Sequence, residues 1–246
     1  MADQDSSQPS GPVLFAGARR DWFKLSIFTL ATIGYWLLVY LTLSLAETKL
    51  PLYQIVSRSL AITGFTYIGW SLFSSLVFKW FPKTAPLWIL RRALGVAGFL
   101  FGSSHAGIVV VYYYQGRLDT IFYSFNSLLN PLIFGLLAYP ILLVMFLTAS
   151  DWAVAKLGGG RWKRIHQLVY WAYFFLVFHG LLLGSDLTRH WPGIMLWVTT
   201  AATLLGQLYW FLVISIKRKF KNLGFLIGVV IIGLYLATAW LAFGHR

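Results

Sequence analysis

Seven stretches of this chain are long and apolar enough to cross the roughly 30 Å of a bilayer's hydrocarbon core, and no lysine or acidic residue interrupts their interiors. They run approximately Leu25–Ala46, Leu60–Phe78, Ala93–Tyr114, Pro131–Ala149, Ile165–Gly184, Gly193–Ile216 and Asn222–Phe243, the second and fourth being the shortest. Segment 49–59, with Lys49, Pro51 and Arg58, reads as an interfacial connector, and segment 115–130 is too polar to span. With 59% hydrophobic and only 11% charged residues, the chain could not cover itself with polar surface in water. A soluble domain carries about 25% charged residues. The expectation is an all-α integral membrane protein, a helical bundle of seven spans.

The net charge of +13 raises the question of a nucleic-acid partner. Its distribution answers it. The flank before the first span and the loops after spans two, four and six hold 15 Lys and Arg residues, against 5 on the other side. The bias agrees at every loop and needs no polyanion: basic loops stay in the cytoplasm. The N-terminus is therefore expected inside and the C-terminus outside, with no nucleic acid bound. Residues 1–18 lack the basic start and cleavage site of a secretory signal and read as a disordered cytoplasmic tail. The absence of cysteine removes disulfides, iron–sulfur ligation, covalent haem attachment and thiolate chemistry together. Any cofactor must be held noncovalently.

Two histidines lie deep in these spans. His105 is 13 residues past Arg92, the inner edge of span three, and His179 is 15 residues past Arg164, the inner edge of span five. Both spans run from inside to outside, which puts the imidazoles at roughly 20 and 22 Å along their helices, one shared level in the outer half of the bilayer. An imidazole in hydrocarbon needs a partner to offset its desolvation, and neutral imidazole is a strong ligand for haem iron. Two of them at one depth suit a flat macrocycle between two helices. His166, 13 residues before His179, sits at the inner surface. On an ideal helix those two side chains are far from eclipsed, so a frayed end or a local 3₁₀ turn would have to re-aim His166. His190 and His245 lie outside the spans and read as interfacial or solvated.

Gly95, Gly98 and Gly102 precede His105 at helical spacing and share its face. They would let a macrocycle approach the backbone; equally, Gly98 and Gly102 form a GxxxG pair suited to direct helix packing. With His105 in line, the cofactor reading is preferred. The level on span three that matches His166 holds Arg91 and Arg92 rather than a histidine. His166 is therefore the sole histidine candidate for a second, inner haem. The arginines fit haem propionates or a flavin phosphate such as that of FMN, and equally fit a plain role as topology anchors.

The stretches RRALGVAGFLFGSSH, Arg91–His105, and RWKRIHQLVYWAYFFLVFHG, Arg161–Gly180, resemble the haem-bearing helices of the ferric reductase-like transmembrane domain family. Within it they are similar to the MsrQ (YedZ) branch, the haem-binding membrane subunits of bacterial methionine sulfoxide reductase systems; Leu147-Thr148-Ala149-Ser150 at the end of span four is similar too. The resemblance covers roughly residues 55 to 215. It implies transmembrane electron transfer through b-type haem in a bacterial inner membrane. His105 and His179 would be axial ligands of an outer haem, and His166 would belong to an inner haem site. A cytosolic flavin reductase would donate electrons, and an outer-side, molybdenum-containing reductase subunit would receive them. The domain division expected is a tail over 1–18, a six-helix ferric reductase-like domain over 19–216, and an additional C-terminal transmembrane helix over 217–246. That seventh span departs from the six of the MsrQ pattern.

Other classes fit less well. A retinal protein needs a lysine within the last span, and Asn222–Phe243 has none. A transporter would show intramembrane acids or broken helices, whereas the acidic residues lie in tails, loops or span ends and Pro140 is the one clear break. No G-x-G-x-x-G motif is present, and Gly158-Gly159-Gly160 reads as a flexible loop rather than a phosphate cradle. Electrons must then come from another protein or a quinol. The runner-up is a ferric or quinone-linked reductase serving a small acceptor, and a non-redox transporter or scaffold is the alternative of another class.

Overall fold

The computed structural model describes residues 18–124, 129–184, 188–217 and 233. Residues 1–17 of the tail, the seventh apolar stretch Asn222–Phe243 apart from residue 233, and His245 lie outside the described residues. Every regular element among them is helical: α1 (Ala18–Ala46), α2 (Leu52–Trp80), α3 (Trp88–Ile108), α4 (Leu132–Leu147), α5 (Asp151–Leu157), α6 (Gly159–Gln167), α7 (Val169–Leu183) and α8 (Trp191–Lys217), with short 3₁₀ and π turns between. Five helical spans are long and apolar enough to cross a membrane, α6 and α7 counting as one, and six if α4 and α5, bent by 91°, form a broken span. Large apolar side chains stand out from the bundle, such as Leu30, Leu45 and Leu205 at 70, 81 and 65% exposure. Lipid, not water, accommodates such a surface. The chain is an integral, multi-pass membrane protein.

α2 is the hub, packed by α1, α3, α7 and α8. Hydrocarbon provides no hydrophobic drive between helices, so close packing and polar links must join them. α2 supplies both through small and hydroxyl side chains: Ser57, Ser59, Thr63, Gly64, Thr66 and Gly69 are buried. A Cβ on Gly64 would stand 2.9 Å from Gly102 N and Gly98 O, so α2 and α3 meet backbone to backbone. On the α8 side, Trp70 Nε1 donates to Thr199 Oγ1 (3.2 Å) and Gln207 Nε2 to Ser75 Oγ (3.0 Å). α7 joins through the Tyr173–Thr200 hydroxyl pair at 3.0 Å. Phe65, Ile68, Leu72, Val169, Tyr173, Phe174, Val177, Phe178 and Leu196 fill the apolar core between α2, α7 and α8. At one end, Glu47 Oε1 meets His190 Nε2 at 3.0 Å and Trp191 Nε1 donates to Thr42 Oγ1, tying α1 to α8.

Some expectations change. Segment 49–59 is not a connector: α2 starts directly after Pro51, whose φ of −65° and ψ of 149° suit a helix start, and it runs 29 residues. α2 is therefore among the longest spans, not the shortest. Pro140 lies inside α4 without ending it; the chain turns after Leu147, where Ser150 Oγ accepts from Ala153 N at 3.2 Å and caps α5. Of the glycine triplet, only Gly158 is a linker, with φ +74°; Gly159 and Gly160 already belong to α6. Segment 115–130 carries only a 3₁₀ turn, Leu118–Phe122, among its described residues. The fully buried Asn130 holds it by donating from Nδ2 to Ile121 O (2.7 Å) and Ser124 O (3.0 Å).

Candidate functional site

His105 sits near the end of α3 and reaches across to the start of α2. Its Nδ1 is 3.1 Å from the Ser57 carbonyl and 2.9 Å from the Ser57 hydroxyl. His179, on α7, places Nδ1 3.0 Å from the Pro131 carbonyl at the start of α4. A carbonyl oxygen only accepts, so in both rings Nδ1 donates and Nε2 keeps its lone pair. The two imidazoles lie within electrostatic reach of each other. A hydrogen bond at one ring nitrogen that aims the other is how metal-binding histidines are oriented. Among the described residues, no three His, Cys, Asp or Glu side chains cluster to hold a bare metal ion. A metal that brings its own equatorial ligands needs only two protein donors, and these rings offer two.

His179 lies against Gly135 of α4: a Cβ there would stand 3.0 Å from Cε1 and 3.1 Å from Nδ1. His166 meets the other end of the same helix, with Nε2 3.2 Å from Thr148 Oγ1. Thr148 directs its hydroxyl proton to Val144 O at 2.7 Å, so toward His166 it accepts. His166 thus carries its proton on Nε2, the reverse of the other two histidines. Trp162 stacks on the His166 ring at 4.1 Å and donates from Nε1 to Thr148 O at 2.8 Å.

On an unbroken helix His166 and His179 would point about 140° apart. They contact opposite ends of the same helix, and between them α6 ends at Gln167, α7 begins at Val169, and Leu168 N bonds Ile165 O in an i→i+3 turn of 3.0 Å. This turn lies two residues after His166.

The three glycines separate. Gly98 serves α2, since a Cβ there would stand 2.7 Å from Ile68 Cγ1 and 2.9 Å from Gly64 O. At this position the helix-packing reading replaces the cofactor reading. Gly95 makes only an ordinary contact with Ser71 Oγ, and a Cβ on Gly102 would meet nothing within 4 Å. Gly102 is the glycine with open space beside it. Arg92 Nη1 is 2.6 Å from Asp151 Oδ1, so a carboxylate offsets the charge expected to meet a propionate or flavin phosphate. Arg91 and Arg92 both lie within electrostatic range of His166, and Arg91 also of Tyr170. His190 pairs with Glu47, as an interfacial residue can.

Ser57, Pro131 and Gly135 were not singled out from the sequence, and Thr148 entered only within the motif at the end of span four. Of the first three, only Gly135 carried a signal, a glycine in an apolar span opposite a buried histidine. A carbonyl acceptor leaves no mark on sequence at all.

Residues 59–177 match the family model described as ferric reductase like transmembrane component. The match includes His105 and His166 and stops two residues before His179. The chain is also similar to the protein-methionine-sulfoxide reductase heme-binding subunit MsrQ of Agrobacterium fabrum, 31% identical over 117 residues. It is 30% identical over 121 residues to the proteins of that name from Brucella ovis and Brucella melitensis biotype 2. These alignments take in 47 to 48% of this chain and 52% of each relative, so the chain spans about half the length of the curated relatives it matches. No solved structure matches. Through residues 59–177, the chain is similar to the ferric reductase like transmembrane component family.

Proposed function

We propose that this protein binds b-type haem between α3 and α7, that His105 and His179 would hold it through Nε2, and that the protein carries electrons across a bacterial inner membrane. The observation that carries the reading is the pair of backbone carbonyls, Ser57 O and Pro131 O, that take the Nδ1 protons and leave both Nε2 lone pairs for iron. Haem supplies its own four equatorial nitrogens, which accounts for a site with only two protein donors. The open side of Gly102, one turn before His105, leaves room for a macrocycle. The relatives' printed description as heme-binding subunits supports the same cofactor.

When bound, the haem supplies a one-electron couple inside hydrocarbon, where the protein alone has none. The chain's own residues hold the ring, orient it and exclude water. The charge bias supports which face is cytosolic; a cytosolic donor, a flavin reductase or a quinol-linked protein, and an outer-side acceptor, a reductase subunit or a small molecule, follow from the family resemblance. An N-terminus inside, a C-terminus outside and a seventh span over 217–246 belong to the same proposal. A ferric or quinone-linked reductase serving a small acceptor shares every feature of the site and differs only in the acceptor.

One haem per chain is the stoichiometry favoured by the donor atoms. His166 holds its Nε2 proton against Thr148, so an inner haem would have to take Nδ1 or break that bond. With Arg92 neutralised by Asp151, Arg91 remains the candidate for an anionic group there, a propionate or the phosphate of FMN. The purified protein should give a b-type spectrum on dithionite reduction. His105→Ala and His179→Ala should each abolish that haem, and His166→Ala should retain it. A measured two haems per chain, with one lost in His166→Ala, would replace the one-haem reading.

A further inference from the structure

We propose that Gly135 is a positioning residue for His179: its missing side chain opens the Pro131 carbonyl to the imidazole and so fixes the ring that presents Nε2. The inference rests on His179 being a haem ligand, but the contact itself stands on geometry alone. Pro131 and Gly135 are one helical turn apart. Helical side chains lean toward the N-terminus, so any side chain at 135 would lie over the carbonyl of residue 131. In this chain the imidazole occupies that place. A Cβ on Gly135 would stand 3.0 Å from Cε1, 3.1 Å from Nδ1 and 3.5 Å from Nε2 of His179, so one whole edge of the ring rests on the glycine. Carbon contacts are ordinarily about 3.5–4.0 Å.

The ring has little freedom to yield. Phe134, beside Gly135, packs its ring 5.2 Å from Phe178 and 6.4 Å from Phe175, which holds α4 and α7 together next to the contact. An added methyl must therefore push His179 away from Pro131 O or turn its plane. Weakening the Nδ1–H···O bond makes Nε2 a poorer electron donor, which destabilises ferric iron relative to ferrous. Gly135→Ala should raise the haem midpoint potential and shift the low-spin electron paramagnetic resonance g-values, which report imidazole orientation. Gly34→Ala is the control, since a Cβ there meets nothing within 4 Å.

A thermal-stability cycle gives a readout of the contact besides the haem spectrum. Gly135→Ala should lower the unfolding midpoint of the wild-type chain by at least about 2–4 °C. In a His179→Ala background it should leave the midpoint unchanged or raise it, because the ring is gone and alanine favours helix. Equal losses in both backgrounds would overturn the proposal, as would a haem-loaded Gly135→Ala with unaltered potential and g-values. If Gly135→Ala does not accumulate but the double variant does, the contact is supported; loss of both overturns it. A chain that binds no haem would defeat the functional proposal and leave the cycle to judge Gly135 by itself.

Discussion

What makes three histidines unequal is which nitrogen each one commits. His105 and His179 donate from Nδ1 to main-chain carbonyls, and His166 donates from Nε2 to a threonine hydroxyl. A main-chain carbonyl cannot change roles, so the first two rings are fixed in one tautomer as long as their helices stay docked. Ser57 adds a hydroxyl 2.9 Å from the same His105 nitrogen. Ser57→Ala removes that group and keeps the carbonyl. Haem retention is the expected outcome, with a loss of about 0.5–1.5 kcal/mol in stability and a raised midpoint potential. Redox titration of the variant checks this; loss of haem would mean that the hydroxyl, not the carbonyl, orients His105.

At the scale of elements, the site depends on how closely helices approach. α3 reaches α2 through Gly98 and Gly64, and this contact brings His105 to Ser57. Gly98→Ala places a methyl 2.7 Å from Ile68 Cγ1 and 2.9 Å from a backbone oxygen that cannot rotate away. It should destabilise the bundle by about 1–3 kcal/mol and loosen haem binding, measured by unfolding in detergent and by haem content; an unaffected variant would show that α2 and α3 can separate freely. The sequence made the spans legible because lipid demands long uncharged runs, and it made the histidines legible because each breaks such a run. The rest was hidden for physical reasons. The carbonyls of Ser57 and Pro131 belong to every residue alike. The role of Gly98 depended on Gly64, distant in sequence. The ion pair of Arg92 depended on Asp151, beyond a bend that hydropathy does not record.

For the whole molecule, the contacts respect an up-and-down order. Glu47 meets His190, Ser57 meets His105, and Arg92 meets Asp151, each pair drawn from ends that alternating spans put on one side. Sidedness itself rests on the charge bias, and the absence of native cysteine allows a clean test. Single cysteines at Arg117 and Arg246 should react with an impermeant maleimide in intact cells, and one at Lys83 only after lysis. The reverse pattern would invert the direction of electron flow, and a protected residue 246 would remove the seventh span. The central claim is narrower: His105 and His179 together hold one haem. It is tested most directly by haem content per chain in His105→Ala and His179→Ala, each purified as a folded protein beside the wild type. Either substitution alone should abolish the low-spin b-type signal. Full haem retention in both variants would contradict it.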